Sequence, residues 1–246
     1  MLSKINDFVV RFANVNGTGS ASANYLFAKA IFRMGIPVTP KNIFPSNIQG
    51  LPTWYEVRVS EKGYLGRRDG VDLMVSVNPQ SMPDDVSSVK SGGYFLYDST
   101  KKLHPELIRD DVKYIGVPLM EICLSEFTDP RQRQLFKNII YVGALSALLD
   151  IEFGVFEQLL VEQFKGKDKL IAPNLKSLKL GVQYIHDNYT YPLDLRLERR
   201  NLVGDKIMID GNAACGLGAI YGGATVVAWY PITPSTSVAE AFEMYA

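Results

Sequence analysis

The feature that most constrains this sequence is an apolar strand joined to an amphipathic helix by a glycine-containing loop near the N-terminus. The apolar run 8–13 predicts a strand, and the loop 14–20 follows it. The helix predicted over 21–34 has apolar residues at spacings of three and four and ends at Gly35, a usual helix terminator. A strand, a loop and a helix in this order are typical of α/β proteins.

The same alternation of strands and helices continues along the first four fifths of the chain. Further strands are predicted where β-branched and aromatic residues are bounded by Gly, Pro or Asn, at 54–59, 71–77, 94–97 and 114–117. Helices are then predicted over 130–148, 153–164 and 175–187. Because several strands lack clean alternation of apolar and polar residues, both faces of the sheet should be covered. The fold class predicted is therefore α/β, with a Rossmann-like domain and a largely buried sheet.

The sequence predicts two domains. Residues 1–190 are assigned to the Rossmann-like domain, and 191–210, which are charged and aperiodic, to a linker. Residues 211–246 are predicted to contain a small-residue helix, a buried strand at 225–230, a proline turn and the start of another helix. Since one strand with a helix on each side cannot bury both of its faces, we expect this segment to be the beginning of a domain that is incomplete or is completed by a partner.

The charge balance argues against nucleic acid as a partner. The chain has 26 Lys and Arg residues and 26 Asp and Glu residues, whereas a protein that binds nucleic acid normally has a basic excess or stripe. Arg67 and Arg68 are predicted to be solvated charges on a turn, although a basic pair near a glycine loop would also suit a phosphate.

A membrane or secretory location is not expected either. The stretch 211–239 has no charged residue, but glycines interrupt it and prolines close it, so we do not expect it to span a bilayer. No secretory signal is recognised at the start of the sequence. Cys123 and Cys215 each lie alone in an apolar stretch and are predicted to be reduced core residues, which favours the cytoplasm.

The glycine loop is the first candidate site. Asn16, Gly17, Thr18, Gly19 and Ser20 follow a strand and open a helix, so their backbone N–H groups and the helix dipole would favour a phosphate. The loop lacks the full GxGxxG spacing and a Walker lysine. The alternative is a tight turn in which glycine supplies a positive φ.

The second candidate site is the proline turn near the C-terminal end of the sequence. Thr233 is predicted as the N-cap of a helix with Pro234 at its first position, and Ser235 would add a hydroxyl group. Such a helix start favours an anion by about 0.3–1 kcal/mol and would suit a carboxylate. The alternative is a well-capped helix without a ligand.

These two segments resemble a known family. The loop 16–20, together with 46–52 running into 57–60, resembles the gamma domain of the thiamine-dependent 2-oxoacid:ferredoxin oxidoreductases. The segments 211–214, 218–219 and 230–235 resemble the opening of that family's pyrimidine-binding alpha domain, in the order found in fused gamma–alpha subunits. The chain therefore resembles the N-terminal part of such a subunit, of the 2-oxoglutarate type.

The resemblance implies an enzyme that oxidatively decarboxylates a 2-oxoacid to acyl-CoA and carbon dioxide and passes electrons to ferredoxin. Thr233, with Pro234 and Ser235, would bind the 2-oxoacid, and residues 16–20 would contact the phosphates of coenzyme A. Among substrates 2-oxoglutarate is favoured, while pyruvate and branched 2-oxoacids stay open.

The resemblance also implies what this chain does not supply alone. The family's activating glutamate would lie beyond Ala246, so no catalytic residue is assigned to the chain. Thiamine diphosphate, Mg²⁺ and a 4Fe–4S cluster would be held with a beta subunit, and the chain alone would hold none of them and be inactive. The alternative is a non-catalytic gamma-like module that serves binding or assembly in a larger complex.

Overall fold

The computed structural model describes residues 4–15, 17–43, 52–232 and 235–246. The chain divides into two compact units, Met1–Gly204 and Asp205–Ala246. This division falls inside the segment 191–210 to which the sequence analysis assigned a linker.

The first unit is built on a six-stranded sheet. Its strands are β2 (Asp7–Asn14), β3 (Val38–Ile43), β4 (Thr53–Ser60), β5 (Val71–Ser76), β6 (Val89–Asp98) and β7 (Lys113–Val117). Their order across the sheet is β3-β4-β2-β5-β6-β7. The strands β2, β5, β6 and β7 run parallel, and β4 is antiparallel to both of its neighbours. A separate parallel pair joins β1 (Lys4–Ile5) to β8 (Leu195–Arg196), so the first part of the predicted linker is paired with the N-terminus.

Helices cover both faces of this sheet, as the sequence predicted. They are α1 (Ser20–Arg33), α2 (Met82–Ser88), α3 (Leu119–Glu126), α4 (Pro130–Leu148), α5 (Phe153–Gln163) and α6 (Asp168–Asn188). Successive residues of a strand point to opposite faces. Phe12 of β2 meets Phe27 of α1 at a ring distance of 5.4 Å, whereas its neighbour Ala13 packs in one apolar cluster with Val86 of α2. The helices α1 and α2 therefore lie on opposite faces, and the α/β fold class is confirmed.

The helices α4 and α6 cross through a pair of glycines. A Cβ on Gly143 would lie 2.1 Å from the Leu178 carbonyl oxygen, and one on Gly181 would lie 2.0 Å from the Ile140 carbonyl oxygen. Because each glycine faces the backbone of the other helix, the two helix axes approach more closely than side chains would allow. This contact fixes α4, which runs along the glycine loop, against the rest of the helical layer.

Several elements were not predicted. The strand β3 contains Pro40 and lies at the sheet edge, where the missing N–H of proline is tolerated. The helices α2 and α3 are short, and their apolar residues do not form a long periodic stripe. The helix α6 begins at Asp168, before the predicted start at 175, and continues through Pro173.

The second unit contains two packed helices, α7 (Gly211–Tyr221) and α8 (Thr236–Tyr245). Asp210 caps α7, because its Oδ1 accepts a hydrogen bond from the Ala213 N–H at 2.9 Å. Gly216 lies at the contact, where an added Cβ would be 2.9 Å from the Ala241 Cβ. The small-residue helix predicted from about residue 212 is thus confirmed.

The buried strand predicted at 225–230 is wrong for this chain. Residues 224–232 form no strand, and the Val226 and Tyr230 side chains are 81% and 80% exposed. A strand needs a hydrogen-bonded neighbour, and the described part of this unit supplies none. Cys215 is also exposed, so its assignment as a core residue is wrong, whereas Cys123 is buried as predicted.

Candidate functional site

The candidate site lies at the carboxyl edge of the parallel sheet, where the chain leaves two neighbouring strands toward opposite faces. The strand β2 leads to α1 on one face, and its neighbour β5 leads to α2 on the other. In open α/β sheets such a switch point forms a crevice that binds ligands. Asn78 joins the two edges of this crevice, because its Nδ2 donates a hydrogen bond to the Asn14 carbonyl at 3.2 Å.

The glycine loop occupies the β2 side of this crevice. Gly17 and Gly19 have φ values of 77° and 76°, which glycine adopts without strain. A Cβ on Gly19 would lie 2.5 Å from the Leu135 Cδ2, whereas one on Gly17 would meet nothing within 4 Å. Gly19 is therefore tied to the packing of α4, and Gly17 faces open space in which a ligand could approach the backbone. Asn16, the first residue of the predicted site, lies outside the described residues.

The start of α1 presents backbone donors without a competing side chain. Ser20 is its first residue, Gly19 is the N-cap and provides no side-chain hydrogen bond, and the first turn has no acidic residue. The Thr18 hydroxyl donates to the Val15 carbonyl at 2.7 Å. Since the N–H groups of a first helical turn have no partner inside the helix, this end carries a partial positive charge suited to an anion.

A buried asparagine lies one turn into the same helix. Asn24 is fully buried, and its Oδ1 accepts a hydrogen bond from the Tyr141 hydroxyl at 2.7 Å. Its Nδ2 has no hydrogen-bond partner among the described residues. Buried amide groups normally find a partner, so this donor has a capacity that the described protein groups leave unused.

Two residues of α4 that the sequence analysis did not single out complete this edge. The Asn138 Nδ2 donates to the Thr18 carbonyl at 2.8 Å and holds the glycine loop against α4. Lys137 lies beside it, with Nζ 3.9 Å from Oδ2 of Asp98 at the end of β6. In the sequence, Asn138 is marked only by its place in the helix predicted over 130–148. The structure shows that this polar side chain is buried.

The second predicted site belongs to the second unit. Thr233 and Pro234 lie outside the described residues. The helix α8 begins at Thr236 with Ser235 as its N-cap, whereas the sequence predicted the N-cap at 233. The Ser235 hydroxyl donates to the Ile232 carbonyl at 2.7 Å and makes no capping bond to α8. The two predicted sites lie in different units.

In the described ranges, no group of three or more His, Cys, Asp and Glu side chains is arranged to hold a metal ion. Within the same ranges, no helix combines the length and the apolar character required to cross a bilayer.

Comparison with known proteins decides the family. Residues 9–184 match the pyruvate ferredoxin/flavodoxin oxidoreductase family, and this range includes most of the six-stranded sheet, the glycine loop and Asn138. The chain belongs to this family.

Relatives within the family are subunits of larger enzymes. The chain is 25% identical to subunit alpha of 2-oxoacid:ferredoxin oxidoreductase 2 from Aeropyrum pernix, over 91% of this chain and 40% of the relative. It is 22% identical to the 2-oxoglutarate oxidoreductase subunit KorA of Mycobacterium tuberculosis, over 96% of this chain and 40% of the relative. The chain thus spans about two fifths of the length of these curated relatives.

The similar solved structures are also 2-oxoacid oxidoreductases or their subunits. The chain is similar to 2-oxoglutarate:ferredoxin oxidoreductase from Magnetococcus marinus, with a TM-score of 0.83 and 28% identity over 98% of this chain and 41% of that chain. That structure has 2-oxoglutarate, coenzyme A and succinyl-CoA bound. The gamma subunit of a keto/oxoacid ferredoxin oxidoreductase from Geobacter sulfurreducens shares the fold, with a TM-score of 0.60 and 18% identity over 73% of this chain and 99% of that chain.

Proposed function

We propose that this chain supplies the gamma domain (1–190) and the opening of the pyrimidine-binding alpha domain (211–246) of a thiamine-dependent 2-oxoacid:ferredoxin oxidoreductase. The observation that carries the proposal is the similarity to the Magnetococcus marinus enzyme, which extends over 98% of the chain at a TM-score of 0.83. The proposed reaction converts a 2-oxoacid and coenzyme A to acyl-CoA and carbon dioxide, with electrons passing to ferredoxin.

The glycine loop is the proposed contact for coenzyme A phosphates. Two features of the structure support this role: the open space beside Gly17 and the uncapped start of α1 at Ser20. Both favour a ligand that accepts hydrogen bonds and carries negative charge. Asn138 would act as a positioning residue, because it holds the Thr18 carbonyl and thus the loop.

The proposed 2-oxoacid site is the segment 233–235, in which Thr233 contacts the substrate beside the thiamine ring. We favour 2-oxoglutarate as the substrate. Two similar proteins support this choice by name, the Mycobacterium tuberculosis subunit at 22% identity and the Magnetococcus marinus enzyme at 28% identity.

Thiamine diphosphate, when bound, supplies the decarboxylation chemistry, and iron–sulfur clusters carry the electrons. The described residues contain no donor set that fits Mg²⁺ or a cluster. We propose that these groups are held with a beta subunit. The contribution proposed for this chain is to bind and orient coenzyme A and the 2-oxoacid.

The coenzyme A site can be tested with two glycines that differ only in location. Gly17 and Gly63 have φ values of 77° and 76°, and a Cβ on either would meet nothing within 4 Å. Gly17→Ala and Gly63→Ala should therefore impose similar backbone strain, on the order of 1 kcal/mol. In the assembled complex, Gly17→Ala should raise the KM for coenzyme A at least tenfold, whereas Gly63→Ala should leave it unchanged. Equal KM values in both variants would remove the loop from the site.

The enzyme assignment is tested by native purification of the chain from its source, with intact mass measurement of every subunit that accompanies it. An iron–sulfur partner and turnover of 2-oxoglutarate with coenzyme A would support the proposal. In that complex Thr233→Val should lower kcat/KM for the 2-oxoacid at least tenfold, about 1.4 kcal/mol. A chain that purifies alone and binds coenzyme A without turnover would instead favour the non-catalytic gamma-like module.

A further inference from the structure

Two consecutive arginines reach different buried carboxylates on the sheet face that α2 partly covers. The Arg67 Nε lies 3.0 Å from the Glu56 Oε1, and the Arg68 Nη2 lies 2.5 Å from the Asp72 Oδ2. The side chains of Glu56 and Asp72 are each only 2% exposed. The Arg67 side chain is 50% exposed and that of Arg68 32%, so both are partly solvated as expected, and each is in addition paired with a buried carboxylate.

Glu56 holds a second arginine as well. The Arg11 Nη2 and Nε lie 2.6 Å and 3.0 Å from the Glu56 Oε2, so one carboxylate orients two guanidinium groups. Burial of Glu56 opposes its ionisation, but hydrogen bonds from Arg67 and Arg11 outweigh that effect and lower the pKa of this carboxyl below its ordinary value. Both arginines are thus fixed by a charged partner that lies beneath them.

Most N–H donors of the Arg11 and Arg67 guanidinium groups have no hydrogen-bond partner among the described residues. The Arg11 Nη1 and both Nη atoms of Arg67 make no hydrogen bond to any described residue. The two side chains line a cleft of about 220 Å³, together with Ile43 and the half-buried Trp54. Arginine forks in a fixed orientation are the preferred protein partners of carboxylate and phosphate groups.

Charges of both signs line the cleft, with the cations at Arg11 and Arg67 and the carboxylates at Asp84 and Asp85. In the strand register, Lys41 of β3 lies opposite Glu56 of β4, on the side away from Arg11 of β2. The carboxyl group of Asp85 is already occupied, because it accepts hydrogen bonds from Trp54, Ser76 and Ser81. Asp84 is exposed on the opposite rim and carries the opposing charge.

We propose that this cleft is a binding site for a small oxyanion, a carboxylate or a phosphate, which Arg11 and Arg67 hold through their free Nη donors. Asp84 would limit the affinity for the anion, since its negative charge faces the same cleft. The proposal goes beyond the proposed function and does not depend on it, because this cleft lies outside the glycine loop and outside the segment 233–235.

Trp54 provides the readout. The chain has two tryptophans, so a Trp229→Phe background leaves Trp54 as the only indole reporter. Inorganic phosphate and succinate are titrated separately at constant ionic strength while the Trp54 emission is recorded, and the heat of binding is measured by calorimetry. We expect saturation with at least one anion below about 10 mM. No saturable signal with either anion would overturn the proposal, and the anion that binds more tightly identifies the class.

Substitutions test whether each charged side chain strengthens or weakens anion binding. Arg67→Gln should weaken binding about tenfold or more, and Asp84→Asn should tighten it several-fold. Arg33→Gln is the matched control, because Arg33 pairs with exposed Glu162 away from the cleft, and it should leave the affinity unchanged. Arg67→Gln keeps the Arg11–Glu56 pair and should fold; if it does not, Arg67→Lys, which lacks the fork, should still weaken binding. Equal affinities in the Arg67, Asp84 and Arg33 variants would contradict the site.

Discussion

The side-chain amide of Asn138 donates a hydrogen bond to the carbonyl of Thr18 at 2.8 Å, which joins two residues 120 positions apart in the sequence. One partner lies in the glycine loop and the other in α4. The loop is therefore shaped both by its own glycines and by a helix encoded much later in the chain. The α4 helix is in turn fixed by its glycine crossing with α6.

Asn138→Leu should lower stability and loosen the glycine loop. The substitution leaves the Thr18 carbonyl without its donor, and the loss of such a bond at a buried site costs about 1–3 kcal/mol. The control is Asn174→Leu, since Asn174 donates to the Leu170 carbonyl at an exposed position of α6. Denaturant unfolding of both variants measures the difference, and the KM for coenzyme A should rise only for Asn138→Leu. A larger stability loss for the control would contradict the argument.

Gly143→Ala and Gly181→Ala should both destabilise the chain. Each new methyl group would meet backbone atoms of the facing helix at about 2 Å, and such overpacking costs roughly 1–3 kcal/mol or more. Gly154→Ala in α5 is the matched control, because its Cβ would meet nothing within 4 Å. Since alanine favours the helix over glycine, the control should gain about 0.5–1 kcal/mol. A gain in the free energy of unfolding in all three variants would show that the crossing is not tight.

Asp85→Asn should change the pH dependence of stability. Burial, together with the neighbouring charge of Asp84, outweighs the hydrogen bonds from Trp54, Ser76 and Ser81 and raises the pKa of this carboxyl. The folded state therefore binds the Asp85 proton more tightly than the unfolded state, in which the pKa is about 3.9. The wild type should lose stability relative to Asp85→Asn as the pH rises from about 4 through the raised pKa.

The measurement is the free energy of unfolding of both proteins across this pH range. Other titrating groups are common to both proteins and largely cancel in the difference. Asp85→Ala serves as a control for the hydrogen bonds, because it removes the acceptor of Trp54, Ser76 and Ser81 and should be destabilising at every pH. A wild-type advantage over Asp85→Asn that grows with pH would be incompatible with a raised pKa.

The two cysteines should differ in reactivity. Burial raises the pKa of the Cys123 thiol to about 11, so little thiolate forms at pH 8, whereas Cys215 is exposed. A thiol reagent at pH 8 should label Cys215 in the folded chain and reach Cys123 only after unfolding. Mass spectrometry of the labelled protein reports this, and Cys215→Ser should abolish native labelling. Rapid native labelling of Cys123 would contradict its burial.

Local sequence signals predicted the elements whose hydrogen bonds close within a few residues. The helix α1 was predicted from its apolar spacing and its glycine terminator, and the glycine loop from the positive φ that Gly17 and Gly19 adopt. The helix α4 was predicted from the cap at Asp129, which accepts a hydrogen bond from the Arg131 N–H at 2.9 Å. Each of these signals is formed by residues that are close together in the sequence.

Features that depend on a distant partner could not be predicted from local sequence. Residues 225–230 have strand-forming composition but form no strand, because backbone hydrogen bonds between strands require a neighbour that composition cannot supply. The edge strand β3 forms despite Pro40 because β4 lies beside it. Arg67 is held by Glu56, 11 positions away, and Thr18 by Asn138, 120 positions away. The order of strand, loop and helix and the family can be predicted from the residues alone, while long-range packing placed the groups that give the loop and the cleft their chemistry.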